Sequence, residues 1–289
     1  GRPVKWIATR NEDFVSASHG RGGQCDALAA VDAQGHLTAL RADLRFPLGL
    51  WGTDSAAVPA LNAGRILPGP YRVPAIDIRA RGYVTNTAPV GIYRGAGRPE
   101  AAMIMERLIE EAAVATGLDP AEVRRRNLLM PASLPRLTPT GQRLDSGDYP
   151  ALLERALTKS DYLQLRRLQA ERRARGELFG IGLCSYVEPC GQGWESARIT
   201  LGADGRYLVA CGTSSQGQGH RTALAQIAAD CLAAPFDRID IIEGDTRATP
   251  AGVGALASRS IAIGGSAIKR AAEELRTKLA AGADPGTAP

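Results

Sequence analysis

Patterned cysteine is missing from this sequence. Its 289 residues hold five cysteines, an odd number without Cys-x-x-Cys spacing, and three histidines. That argues against a disulfide framework and against zinc or iron–sulfur ligation within the chain, since such sites need thiolates or imidazoles at fixed spacing. Reduced thiols in a cytoplasmic protein are the expectation. Aromatic residues reach only 5%, and none interleaves with the basic run from Arg166 to Arg175. That run reads as a solvated helix face, so no nucleic-acid partner is expected. No apolar run approaches the roughly 20 residues of a membrane span, and no apolar signal core follows the opening GRPVKWIATR. Neither GxxxxGK(S/T) nor GxGxxG occurs, which removes the usual triphosphate and dinucleotide loops. Lysine is scarce as well: Lys5, Lys159, Lys269 and Lys278 are the lysines behind a net charge of +5. The remaining cations are arginines, suited to bidentate contact with phosphate and carboxylate.

What is present is punctuation and periodicity. Residues 24–46 predict a hairpin turned at Asp32 to Gly35, and 75–87 a second extended stretch. Ala101, Ile104, Met105, Leu108, Ala112 and Ala115 recur at helical spacing until Gly117. Asp119-Pro120 starts a short helix, with Asp as cap and Pro at the first position. A Pro- and Thr-rich connection (131–148) precedes helices at 149–158 and 161–174, and the domain boundary is expected after residue 176. The second half predicts a strand at 180–188, a hairpin at 197–212 turned at Asp204-Gly205, a helix at 220–233, a strand at 238–243 and a helix at 265–280. The first residues read as a plausible strand, whose abrupt start suggests a piece of a longer chain, and the last ten as unstructured. The fold class expected is α+β.

Three glycine-rich loops, 91–98, 216–219 and 252–260, each precede a helix. A helix start exposes unpaired N–H groups at the positive end of its dipole, and glycine lets an anion approach that backbone closely. Each loop could equally be a plain turn. Arg94, Arg98 and Arg259 inside two of them favour the anion reading. Gln216 and Gln218 are neutral amides suited to a polar heterocycle or metal-oxo ligand, or simply to bracing the loop. His220 is a candidate base without a nucleophile, and so reads as structural. Glu188 and Glu195 flank the PCGQGW segment and could line a pocket, although a surface role suits either alone.

Together and in this order, GIYRGAGRPE, GLDPAEVRRRN, TGQRLDSGDY, GTSSQGQGHRTALAQIAAD, IIEGDT and ASRS resemble the molybdenum-cofactor-binding subunit of the xanthine dehydrogenase/aldehyde oxidase family, and within it the carbon-monoxide-dehydrogenase-like large subunits. The resemblance runs from Gly1 to about Ile268. It implies a two-lobed cofactor-binding fold truncated at both ends: a first domain over 1–176 and the start of a second over 177–289. It implies a molybdopterin cytosine dinucleotide with Arg94 and Gly95 at the pterin, and with Gln216, Gly217, Gln218 and Gly219 beside metal and pterin. Gln218 would stand near the molybdenum without ligating it. Ala257, Ser258, Arg259, Ser260 and Ile261 would wrap the phosphate side. Ala96, Val187 and Glu188 fall where the family builds its substrate pocket.

The implied activity is hydroxylation of an aldehyde or N-heterocycle carbon with oxygen from water. Electrons would leave to iron–sulfur and FAD partner subunits. Two departures narrow this expectation. The copper-binding Cys of true carbon monoxide dehydrogenases is replaced by Gly95, and Ala96 stands where purine oxidisers often carry a ring-stacking Phe. Carbon monoxide and xanthine are therefore not the expected substrates. The family's upstream Gly-Phe loop and its C-terminal catalytic Glu are not in this sequence, so the chain alone is expected to be inactive. The competing expectation is a non-catalytic anion- or nucleotide-binding module of the same fold.

Overall fold

A threonine three residues ahead of a glutamate opens the first element. In the computed structural model, which describes residue 2 and residues 4–282, Thr9 and Glu12 form a capping box at the start of helix α1 (Arg10–Ser16). The strand expected at the chain's start is not formed; residues 4–9 have no regular structure. Strands β1 (Gln24–Val31) and β2 (Leu37–Gly49) then make the expected antiparallel hairpin. Its turn is set by Asp32 Oδ1, which accepts from the N–H of Gln34 and of His36 at 3.0 and 2.8 Å, while Gly35 takes φ 81°.

Helix α2 (Val58–Ile66) crosses over to β3 (Ala75–Val84), which lies parallel to β2, giving the order β1-β2-β3. Helix α3 (Arg98–Thr116) ends at left-handed Gly117, and α4 (Pro120–Asn127) is capped by Asp119 as expected. Two short strands, β4 (Arg136–Leu137) and β5 (Arg143–Leu144), precede α5 (Tyr149–Lys159) and α6 (Tyr162–Ala174). The core gathers Leu44, Ala63, Leu67, Met105, Ile109 and Val123. Inside it Arg124 is fully buried; its Nε and Nη2 donate to Glu106 Oε2 at 3.0 and 2.6 Å, and Nη2 also to the Leu183 carbonyl at 2.9 Å.

The sequence reading of 180–188 as a strand needs correction. Burial does alternate there, and Ile181, Leu183 and Val187 pack against this core, but no ladder partner exists among the described residues. The segment is an extended strap, tied by Arg124 at Leu183 and by Gln169 at the Phe179 carbonyl. Alternation reports a half-buried extended chain; it does not report a neighbour.

The chain divides into compact units Gly1–Glu188 and Pro189–Pro289. The second opens with β6 (Ala197–Leu201) and β7 (Tyr207–Cys211), antiparallel across the Asp204-Gly205 turn. Helix α7 (His220–Leu232) crosses to β8 (Ile239–Ile242), parallel to β7. A π-helical stretch, Ser260–Gly265, leads into α8 (Ser266–Ala280). Val209, Leu224, Ala228, Ile241, Ile268 and Ala272 form a separate core. Each unit thus contains the run hairpin, helix, parallel strand, glycine-rich loop, helix. In each run the closing helix, α3 or α8, packs on the crossover helix and on the first strand of the hairpin. The tail from residue 283 lies outside the described residues.

Candidate functional site

Parallel pairing decides where the loops go. Two parallel neighbours point their carboxyl ends the same way, and in α/β sheets ligands bind outside those ends. In the second unit the loops leaving β7 and β8 therefore emerge on one side, and both carry expected site residues. Thr213, fully buried just past β7, donates from Oγ1 to Ser260 Oγ at 3.1 Å and so joins the two loops. Beside it Cys211 is a packing group: burial, more than any neighbour, pushes its thiol upward and keeps it neutral.

The loop after β7 is braced at its base and open at its tip. Ser215 N–H donates to Glu243 Oε2 at 3.0 Å, and Gly217 N–H to Ser215 Oγ at 3.3 Å. The Gln216 N–H donates to Gln218 Oε1, so Gln218 does brace the loop. Gly217 and Gly219 take φ 102° and 75°, and a Cβ on either would meet nothing within 4 Å. These glycines answer to backbone conformation and leave space unfilled. Gln216, Gly217, Gln218 and Gly219 are all exposed. Gly219 stands at the N-cap of α7 and offers no side chain to the first-turn N–H groups. His220 is buried, and its Nδ1 has no hydrogen-bond partner among the described residues. The structural reading of His220 thus holds for its burial and leaves one ring nitrogen unexplained.

The loop after β8 holds two consecutive non-glycine residues in the left-handed region, Ala257 (φ 49°) and Ser258 (φ 56°). Each costs about 1–2 kcal/mol there. Both are exposed, as is Ile261 in the π-helical stretch, a geometry that recurs at functional sites. Arg259 is placed differently from the side chain the anion reading had in mind. Its guanidinium is internal, donating to Glu195 Oε2 at 2.7 Å and to the Gly254 carbonyl at 2.8 Å. Glu195, read from sequence as a surface residue, is completely buried on that pairing.

In the first unit the loop after β3 carries Gly95, Ala96 and Gly97 at φ 95°, 43° and 90°, three left-handed residues in a row. Asn62 Nδ2 donates to the Ala96 carbonyl at 3.0 Å, and a Cβ on Gly97 would overlap the Pro59 carbonyl. Arg21 supports the loop from beneath: it donates to the Arg94 carbonyl at 2.8 Å and to Glu100 at 3.0 Å. The Arg94 side chain is exposed, with no hydrogen bond or ion pair among the described residues. Arg98, by contrast, pairs with Glu188 at 2.9 Å, and Val187 packs on the first core. Arg21, Asn62 and Thr213 escape sequence reasoning, and Glu195 is singled out there for another role, because all four act by supporting backbone from distant positions.

Chemically, the loop of the first unit offers an exposed guanidinium at Arg94, and the loops of the second offer uncapped helix N–H groups and two neutral amides. Each taken by itself suits an anion, the second one with a polar head. No cluster of His, Cys, Asp or Glu able to hold a metal occurs among the described residues.

Molybdopterin cofactor-binding domain models match residues 1–128 and 155–286. The carbon monoxide dehydrogenase large chain of Hydrogenophaga pseudoflava is 35% identical, over 96% of this chain and 37% of its own length. The nicotine 6-hydroxylase large subunit of Paenarthrobacter nicotinovorans is 30% identical over 96% of this chain and 36% of its own. The crystal structure of quinoline 2-oxidoreductase from Pseudomonas putida 86 superposes with a TM-score of 0.89 at 34% identity, covering 96% of this chain and 37% of that one. The chain thus spans little more than a third of these relatives. No helix among the described residues is long and apolar enough to cross a membrane.

Proposed function

Since this chain belongs to the molybdenum-cofactor-binding large subunits of the xanthine dehydrogenase/aldehyde oxidase family, carbon-monoxide-dehydrogenase-like type, we propose that it is the cofactor-holding part of a molybdenum hydroxylase acting on an N-heterocycle or aldehyde. The observation that carries the proposal is the loop before α7. It combines an uncapped helix start, glycines facing unfilled space and two exposed amides of no net charge. Such a site fits an anionic cofactor whose metal end is neutralised by its own ligands. Two cofactor-binding domains belong to this reading, over 1–176 and from 177 onward, while the compact units divide after Glu188 because the strap packs on the first core.

We assign the roles loop by loop. Gln216 and Gln218 would orient the metal end through donor and acceptor groups, the N–H groups at the start of α7 would take negative charge, and Arg94 would bind the pterin. The backbone of Ala257 to Ile261 would follow the phosphate side. When bound, a molybdopterin cytosine dinucleotide supplies two-electron hydroxylation of a C–H carbon with water as the oxygen source, its electrons passing to iron–sulfur and FAD partners. Val187 and Glu188 would bound the substrate, Glu188 held in place by Arg98. The names of the nicotine and quinoline enzymes support a heteroaromatic substrate. A copper-binding thiol in place of Gly95 is disfavoured physically. The residue has φ 95°, and a Cβ there would stand 2.6 Å from the Pro99 ring. The 289 residues by themselves are expected to give no turnover, because the base the resemblance implies is not among them.

The test is direct. A complete subunit containing this chain should co-purify with molybdenum and release CMP on acid treatment. Replacing Gln218 by Ala should lower turnover about a hundredfold, the order seen when one preorganised hydrogen-bonding group is removed. Metal-free protein with undiminished activity, or full turnover in the variant, would sink the assignment; a complete subunit with neither metal nor turnover would instead favour the non-catalytic nucleotide-binding module.

A further inference from the structure

We propose that the Arg259 and Glu195 side chains form a buried clasp that sets the conformation of the 252–260 loop, so that both are positioning residues for the cofactor seat and neither side chain touches the cofactor; this rests on the function proposed above. The side chains are 1% and 0% exposed and 2.7 Å apart. Arg259 spends its planar fork on four acceptors from two segments: Glu195 Oε2, and the carbonyls of Gln192, Trp194 and Gly254. Glu195 Oε2 also accepts from the Gly254 N–H at 3.2 Å. One carboxylate oxygen thereby holds both ends of the left-handed turn, Gly254 before it and Arg259 after it.

The packing around the pair is built for it. Glu195 Oε1 lies against Gly212 and Gly252, where a Cβ on either would overlap the oxygen. A Cβ on Gly191 would come within 2.5 Å of Arg259 Cβ and 2.6 Å of the Ala257 carbonyl. Three glycines therefore admit the pair without serving as turns or as ligands. A buried ion pair is poor as a source of stability but strongly resists loss of one partner. That asymmetry suits a group whose task is to hold one conformation. Ala257 and Ser258 stay in a backbone region they would otherwise leave because the residues on both sides of them are tied to the same carboxylate.

The experiment uses the complete subunit and two variants, Glu195→Gln and Arg259→Lys, each read by amide hydrogen exchange over 252–261 and by molybdenum and pterin content. The clasp predicts that both variants speed exchange in the loop about tenfold or more, with α8 changed less than about twofold, and that cofactor content falls with it. If Arg259 bound the cofactor directly, Glu195→Gln would free its guanidinium, and content would hold or rise while loop exchange stayed at the wild-type rate. That result overturns the proposal. If Glu195→Gln does not fold, Arg259→Lys decides alone; loss of the whole fold in both variants also overturns it, because the pair would then be a core element. Exchange is measurable whether or not metal is present, so absence of molybdopterin from the wild type would defeat the proposed function while the exchange data still judge the clasp.

Discussion

At the scale of single residues, the informative positions are those where side chain and backbone disagree. Ala96, Ala257 and Ser258 hold positive φ without being glycine or asparagine, and all three fall in loops that the sequence singles out. The glycines around them are legible because glycine announces permissiveness. The strain itself is not, since nothing in the letter Ala tells that its neighbours hold it left-handed. Replacing Ala257 by Gly should relieve it and, after the extra chain entropy of glycine, raise stability by about 0.5–1 kcal/mol. Cofactor content should fall at the same time as the loop loosens. Denaturant titration paired with metal analysis checks both, and a variant that is less stable would show that the turn is not strained. Arg259 teaches the complementary lesson. Its charge is legible, but its direction depends on a carboxylate 64 positions away.

At the scale of elements, capping and turn chemistry translate well. Asp32 to Gly35, Asp204-Gly205, Gly117 and Asp119-Pro120 each set the boundary they announce, because the interactions involved are local. Helix α1 is not read from the sequence, which suggests a strand at the start: its Thr9–Glu12 cap is local, but the helix is short and has no buried residue to make a pattern. Helix α2 depends on tertiary support from β2, β3 and α3, and the 177–188 strap on side chains that reach its carbonyls. The cap of α4 also carries a pH signature. Asp119 accepts from Tyr162 Oη at 3.1 and 3.3 Å. Burial first, then the Asp119 charge and hydrogen bond, leave the phenol pushed up to about 12. A proton held more tightly in the folded state contributes stability that is complete below the unfolded value near 10 and lost as pH climbs to about 12. Tyr162→Phe should therefore be less stable at neutral pH and flatten the loss of stability in that alkaline window. An unchanged slope would mean that Tyr162 titrates normally.

For the whole molecule, the α+β class and the bipartite organisation were legible from the alternation of hairpins with helices. The parallel partners β3 and β8 were not, because a crossover leaves no trace in either strand alone. Two separate cores imply two cooperative events. Calorimetry should resolve two transitions, with Leu224→Ala lowering one by about 2–5 kcal/mol and Met105→Ala lowering the other by a similar amount. A single transition shifted by both substitutions would show that the cores melt together.

The repeated order of elements gives the molecule an internal control. Residues 50–57, LWGTDSAA, leave β2 for its crossover helix just as residues 212–219, GTSSQGQG, leave β7. The wiring is the same, and in both copies a parallel partner follows. Only the second copy carries the glutamine–glycine pairs; the first presents Leu50 and Trp51 to solvent. Topology supplies a loop at the carboxyl end of a strand in each copy and is indifferent to what that loop recognises. The amides of Gln216 and Gln218 are therefore an addition to the architecture, and the chain carries the unadorned version of the same turn beside it in its own sequence.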